Sequence, residues 1–312
     1  MKKIAVILWA ALITLPLQAQ FVEDALRYAL PNGYFTPRSG GFNVAFYGIS
    51  DDIAALNYNP AGMSIGGKSE LSFGLGFLRS SSETNFMYNK TSFNSNDSYI
   101  SHAGMMIPFP TKLGNAAVGI GYFLESNFDN NYKYQGFNGV PTSMIQYFAS
   151  QKPTSGNAED NIAYHQWLSD AQGNTKIIGN LTDNAFVEES GGLHNVSAGL
   201  AFDLTKNVSA GFSLTGKWGT YGYKRDYTEQ DVSDLYNEST TMTIDGDAYP
   251  LDLNKFKIEE RLSQKISGIT GAVGVMGRLG DMLRFGCSIK FPTFYEVNET
   301  FNINAYTTFD AP

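Results

Sequence analysis

The sequence predicts an all-β protein: a transmembrane antiparallel β-barrel behind a small N-terminal segment that is not strand. Three observations carry that prediction: an export leader at residue 1, apolar residues at every second position from Leu71 onward, and connections that alternate between short and long. In Leu283–Phe291 every odd position is apolar and every even one is small or charged. Successive side chains of a strand point to opposite faces, so such a segment offers one face to hydrocarbon and the other to water.

The leader comes first. Met1-Lys2-Lys3 precedes an apolar run from Ile4 to Ile13, and Ala19 supplies the small residue at the expected cut, so 1–19 reads as a Sec-type signal peptide. The run falls short of the roughly 20 residues a membrane-spanning helix needs. No Cys stands near the cut, which argues against a lipid anchor. The mean hydropathy of −0.20 would exclude a helical membrane protein, but a barrel hides its apolar surface in alternation. With 22 Lys and Arg against 30 Asp and Glu, the net charge of −8 excludes nucleic acid as a partner. The single Cys287 lies within an alternating strand, where packing against lipid is its expected role.

Residues 20–66 form the second part. Ser50-Asp51-Asp52 reads as the cap and acidic first turn of a short helix through Leu56, which Asn59-Pro60-Ala61-Gly62 then ends. Seven strands are expected across 67–312: 70–78, 98–107, 116–128, 193–204, 208–223, about 263–279 and 282 to about 297. The connections at 108–114, 205–207 and 280–281 are short, whereas those near 79–97, 129–192 and 224–262 are long and polar. Sorting of this kind matches periplasmic turns and extracellular loops. Within 129–192, short helices are expected over 141–150 and 161–170, capping the barrel mouth. Seven strands leave an open edge and Tyr306–Pro312 does not read as a closing strand, so the expectation is either the N-terminal part of a longer protein or strands contributed by another source.

Little in the sequence points to chemistry. Gly62-Met63-Ser64-Ile65-Gly66 matches the nucleophile-elbow spacing, but a Pro-Ala-Gly turn stands where that motif needs a strand. His102, His165 and His194 have no Cys or carboxylate at metal-ligand spacing, and Gly119-x-Gly121 lacks a third glycine and a following helix. No enzyme activity, cofactor or metal is expected. Lys217, Arg284 and Lys290 alternate with apolar neighbours and so face the lumen, where they either solvate the interior or attract an anionic head group.

The N-terminal segment carries a family resemblance. Ser39-Gly40-Gly41-Phe42 followed by Asp51 through Met63, with Asn59-Pro60-Ala61 at its centre, resembles the hatch of the FadL family of outer-membrane transporters of long-chain fatty acids and other hydrophobic compounds. Glycine-rich Ala117–Tyr122 and Leu283–Ser288 are further similarities. The resemblance implies a fourteen-stranded monomeric barrel, half of it supplied here, around a plug in which Asn59, Pro60, Ala61 and Gly62 shape the gate. It also implies lateral release through a kinked third strand, here Gly119 to Phe128, where Gly119, Gly121 and the change of pattern at Glu125-Ser126-Asn127 are the expected interruptions, the alternative being that the glycines only relieve crowding. Phe21 and Val22, near the mature N-terminus, are expected to touch the ligand, a hydrophobic small molecule handed on to outer-membrane lipid. The rival expectations are a general diffusion porin, a surface adhesin barrel and an outer-membrane hydrolase.

Overall fold

Strand accounts for 64% of the chain, arranged as one curled antiparallel sheet that forms a half-barrel. The structure, a computed structural model, describes residues 22–29, 35–65, 67–151, 161–237, 240–244, 247–280 and 283–310. The leader 1–19 and Phe21 lie outside the described residues, and of Val22 only the backbone is described, as the first residue of a helix.

The N-terminal segment comprises helices α1 (Val22–Ala29) and α2 (Pro37–Phe42) and three 3-10 turns, Asn43–Gly48, Ile53–Leu56 and Pro60–Ser64. Short polar caps hold these turns. Asp52 accepts from Ala54 N at 2.8 Å, and Asn59 from Ala61 N at 3.2 Å. Pro60 therefore opens a turn, at the position where its missing N–H costs nothing, and does not merely end the preceding one.

The strands are β1 (Glu70–Phe86), β2 (Asn89–Pro110), β3 (Asn115–Asn127), β4 (Asn130–Asn138), β5 (Leu181–Thr205), β6 (Val208–Gln230), β7 (Thr240–Ile244), β8 (Asp247–Leu279), β9 (Leu283–Lys290) and β10 (Phe294–Asp310). The sheet path runs β1-β2-β3-β5-β6-β8-β10. Two of its positions are single strands broken in the middle. β3 and β4 pair successive halves of β5, and β9 and β10 pair successive halves of β8. The expected number of positions across the sheet matches, but the strands are far longer than expected.

Three expectations about connections and the chain end are overturned. The stretch 224–262 is mostly strand, for β6 runs on to Gln230 and β8 begins at Asp247. The stretch 79–97 is not a loop: β1 and β2 run on to a two-residue turn at Met87 and Tyr88, both with positive φ (47° and 62°), the pairing that suits a tight hairpin. Phe294–Asp310 is a full strand paired with β8 from Ile269 to Asp252, so the residues around Tyr306 belong to the sheet. The 129–192 region is partly strand as well, but it holds the two expected helices, α3 (Met144–Ser150) and α4 (Ile162–His165), each capped by the preceding Ser143 or Asn161.

The outer face is apolar over a limited height near the short turns, here the lower end. On β5 the exposed residues Val196, Leu200, Phe202 and Leu204 lie within 196–204, about 26 Å of strand at roughly 3.3 Å per residue. Phe212, Leu214 and Trp218 on β6, Val273 and Val275 on β8, and Phe285 and Ile289 on β9 continue this band. Cys287 shares that face and is exposed. At the band's upper edge Tyr122, His194 and Trp218 stack, with Tyr122 Oη 2.8 Å from His194 Nδ1. Above it the outward positions turn polar, as at Lys224, Asp226 and Thr228.

Candidate functional site

The inner face carries three layers. In the lowest, level with the apolar band, the N-terminal segment fills the curve of the sheet. Ile53, Ala54, Ala55, Leu56, Ala61 and Met63 are fully buried there, with Phe46. Inward glycines make this seat. A Cβ at Gly104 would meet Ile53, at Gly119 Met63, at Gly199 Leu56, at Gly211 the Pro60–Ala61 backbone, and at Gly274 the side chain of Asn59. Where backbone must approach so closely, only hydrogen fits.

Polar contacts lock the segment into the seat. Asn59 Nδ2 donates to Tyr47 O at 3.0 Å and to Val275 O of β8 at 3.3 Å. Ser64 Oγ donates to Asp203 Oδ1 at 2.8 Å, and Asp203 also accepts from Ser209 Oγ and Asn115 N. Asn59, Pro60, Ala61 and Gly62 are thus brought together at the sheet centre, all buried. Ser64 is a structural donor, and His102 and His194 are engaged elsewhere, with Ser72 and Tyr122. Ser64→Ala should cost about 1 kcal/mol, since Asp203 keeps two other donors. Variant and parent should hydrolyse p-nitrophenyl esters at the same background rate.

The middle layer is charged and aromatic. Glu125 and Lys217 form an ion pair at 2.5 Å with each side chain 3% exposed. Asn195 Nδ2 donates to Glu125 at 3.2 Å, Lys217 to Tyr295 Oη at 3.2 Å, and Lys290 Nζ lies 4.0 Å from Glu125. Lys217, expected to face the lumen, does so, but its charge is spent on Glu125. Above them Tyr28 of α1 packs on Phe128 and Tyr295, its hydroxyl bonded to Gln264, and Arg27 stacks over the Tyr221 ring at 3.8 Å. Burial and nearby Asp24 push the Tyr28 hydroxyl up to about 12, so it stays a neutral donor.

The sheet carries a seam beside this layer. The β2–β3 ladder stops at His102↔Phe123, while β3 continues along β5 with a register shift between Leu124 and Ser126, after which Ser126 and Phe128 join Glu125 on the buried side. Above that point no β2–β3 or β2–β4 ladder exists among the described residues. Side chains bridge instead: Asn127 Nδ2 to Asp97 at 2.8 Å, Ser82 Oγ to Asn131 O at 2.7 Å, and Thr84 Oγ1 to Lys133 O at 2.6 Å. The expected interruption of β3 therefore lies at Glu125 to Phe128. Gly119 and Gly121 do not contribute to it, for both are paired on each side within the ladders and serve as seat positions.

The top layer is a cavity of about 610 Å³ under α3 and the β1–β2 hairpin tip. Its base holds Asp183, Tyr227 and Glu229, with the Arg225–Glu260 pair at 2.7 Å beside them. Sequence reasoning missed this layer because its residues fell in stretches read as loops. Among the described residues no cluster of His, Cys, Asp or Glu is placed to hold a metal ion. A scan against protein-family models gives no match, and searches of curated proteins and of solved structures give none either.

Proposed function

We propose that the chain is a part of an outer-membrane barrel whose N-terminal segment acts as a hatch, and that the whole protein takes up hydrophobic small molecules passively. The observation that carries this reading is one of level: the exposed apolar band lies at the same height as an interior filled by residues 46–64. A band this tall, edged by Tyr122 and Trp218, suits a hydrocarbon layer and its interface. An open diffusion pore would need that interior empty. The lipid-excluding outer leaflet is bypassed when an apolar molecule enters from the top, descends to the aromatic layer and leaves sideways.

The seam between β2 and β3, which starts at the upper edge of the apolar band, is the proposed exit, since side-chain hydrogen bonds bridge it and no ladder crosses it among the described residues. Phe128, Tyr28 and Tyr221 line the inner side of that exit. The keyed contacts of Asn59 and the glycine seats make the lower segment a fixed stopper, so the moving parts are α1 and the seam. No chemical step is required.

The full-length protein should fold only with detergent or lipid, migrate heat-modifiably in gels, and raise uptake of labelled oleate or toluene in cells that express it. A monomer folded in plain buffer, or uptake that is the same with and without the protein, would overturn the reading.

A further inference from the structure

We propose that the cavity beneath α3 is a binding site for an amphipathic amine, an ammonium head on an apolar tail, and that it discriminates against carboxylates. The fate of the bound molecule rests on the uptake reading above; the binding itself does not.

The walls are apolar. Phe86 and Met87 come from the hairpin tip, Met144, Tyr147 and Phe148 from α3, and Ile303 from β10. Gly136 of β4 makes room for the tip, since a Cβ there would stand 2.7 Å from that of Met87. At about 610 Å³ the space lies within the range of small-molecule pockets.

The base is acidic and incompletely satisfied. Asp183 of β5 and Glu229 of β6 are direct cross-strand partners, an arrangement of like charges that normally destabilises a sheet. Glu229 is fully used: it accepts from Ser143 Oγ at 2.8 Å, Met144 N at 2.6 Å, Ile145 N at 3.2 Å and Tyr227 Oη at 3.1 Å. Asp183 is 3% exposed, yet its Oδ1 has no donor from the protein. Arg225 is paired with Glu260, and among the described residues no other cation lines the cavity to answer Asp183. A buried acceptor without a donor carries a desolvation cost that a ligand N–H can remove. An ammonium supplies both the donor and the opposite charge, whereas a fatty-acid carboxylate would add a third anion in a low-dielectric space.

Titration follows the same geometry. Asp183 lies thirteen residues from Val196 along β5, beyond the apolar band. Burial first, and then Glu229, push its carboxyl up to about 7. Tyr227, Glu229 and Arg225 of β6, Glu260 of β8 and Tyr134 of β4 are the other titratable groups around it. An ammonium pairs with the ionised form, so amine affinity rises as the pH passes upward through 7.

The test is calorimetric titration of the full-length protein in lipid nanodiscs with octylamine, octanol and octanoate, empty discs serving as the blank. Octylamine should bind at least tenfold more tightly than octanoate and severalfold more tightly at pH 8 than at pH 6. Asp183→Asn, with folding checked by heat-modifiable mobility, should abolish both differences. Octanoate binding as tightly as octylamine, or undiminished amine binding by Asp183→Asn, would overturn the site; if that variant fails to fold, a flat pH response of the parent does so. Amine binding without protein-dependent uptake of oleate or toluene retires the uptake reading and leaves the site. Uptake without amine preference retires the site alone.

Discussion

Replacing Lys217 with Met should destabilise the fold by about 3–5 kcal/mol, the usual cost of stranding one member of a buried ion pair. The magnitude follows from burial: both side chains are 3% exposed, and Glu125 would keep only Asn195 Nδ2 and a distant Lys290. Removing both charges is a different experiment. Glu125→Leu combined with Lys217→Met removes both buried charges and should recover most of that loss, because a buried pair gains little over a well-packed apolar replacement; the remainder, about 1–2 kcal/mol, comes from Asn195 Nδ2 and Lys290, which lose Glu125 as a partner. The check is a double-mutant cycle on the heat-denaturation midpoint in detergent. Equal losses for the single and double variants would show that the pair acts through packing and not through charge.

A still larger effect is expected at Gly211. Its Cβ would stand 2.6 Å from Ala61 N, and that backbone cannot yield without unseating Asn59 from Val275 O. Gly211→Leu should therefore exceed the 1–3 kcal/mol typical of overpacking and expel the N-terminal segment as a unit. The outer band is untouched by this change, so the protein should still insert. Two readouts report the loss of the stopper: protease cleavage within 35–65, and new ion conductance across planar bilayers. Gly216→Leu is the control, for Gly216 faces outward with nothing near its Cβ position. Unaltered conductance and protection in Gly211→Leu would count against a seated stopper.

What the sequence revealed follows the height of the sheet. Within the band one face is apolar and the other is not, so the lower parts of β1, β2, β3, β5 and β6 could be read directly. Higher up both faces are polar, the two-residue period fades, and Leu78 to Phe86 or Leu181 to Gly192 look like loop. The β1–β2 turn carried no signal either, because Met87 and Tyr88 take positive φ without Gly or Asn. The site was divided in the same way. Asn59–Gly62 stood out as a motif, and the pattern change at Glu125 to Asn127 marked the true break in β3. Asp183 and Glu229 meet only through strand pairing across nearly fifty residues, which no local pattern reveals. Gly119 and Gly121 were visible, but their purpose as seats appears only once Met63 lies against the first and Ile53 against the second.

The overhang of the strands has its own consequence. Asp183 stands about 43 Å along β5 from Val196, and a strand tilted by roughly 40° converts that path into about 33 Å of elevation. On the placement proposed above, the mouth is thus carried on a turret well beyond the hydrocarbon boundary. Incoming molecules would then be met on the aqueous side, before they reach any lipid.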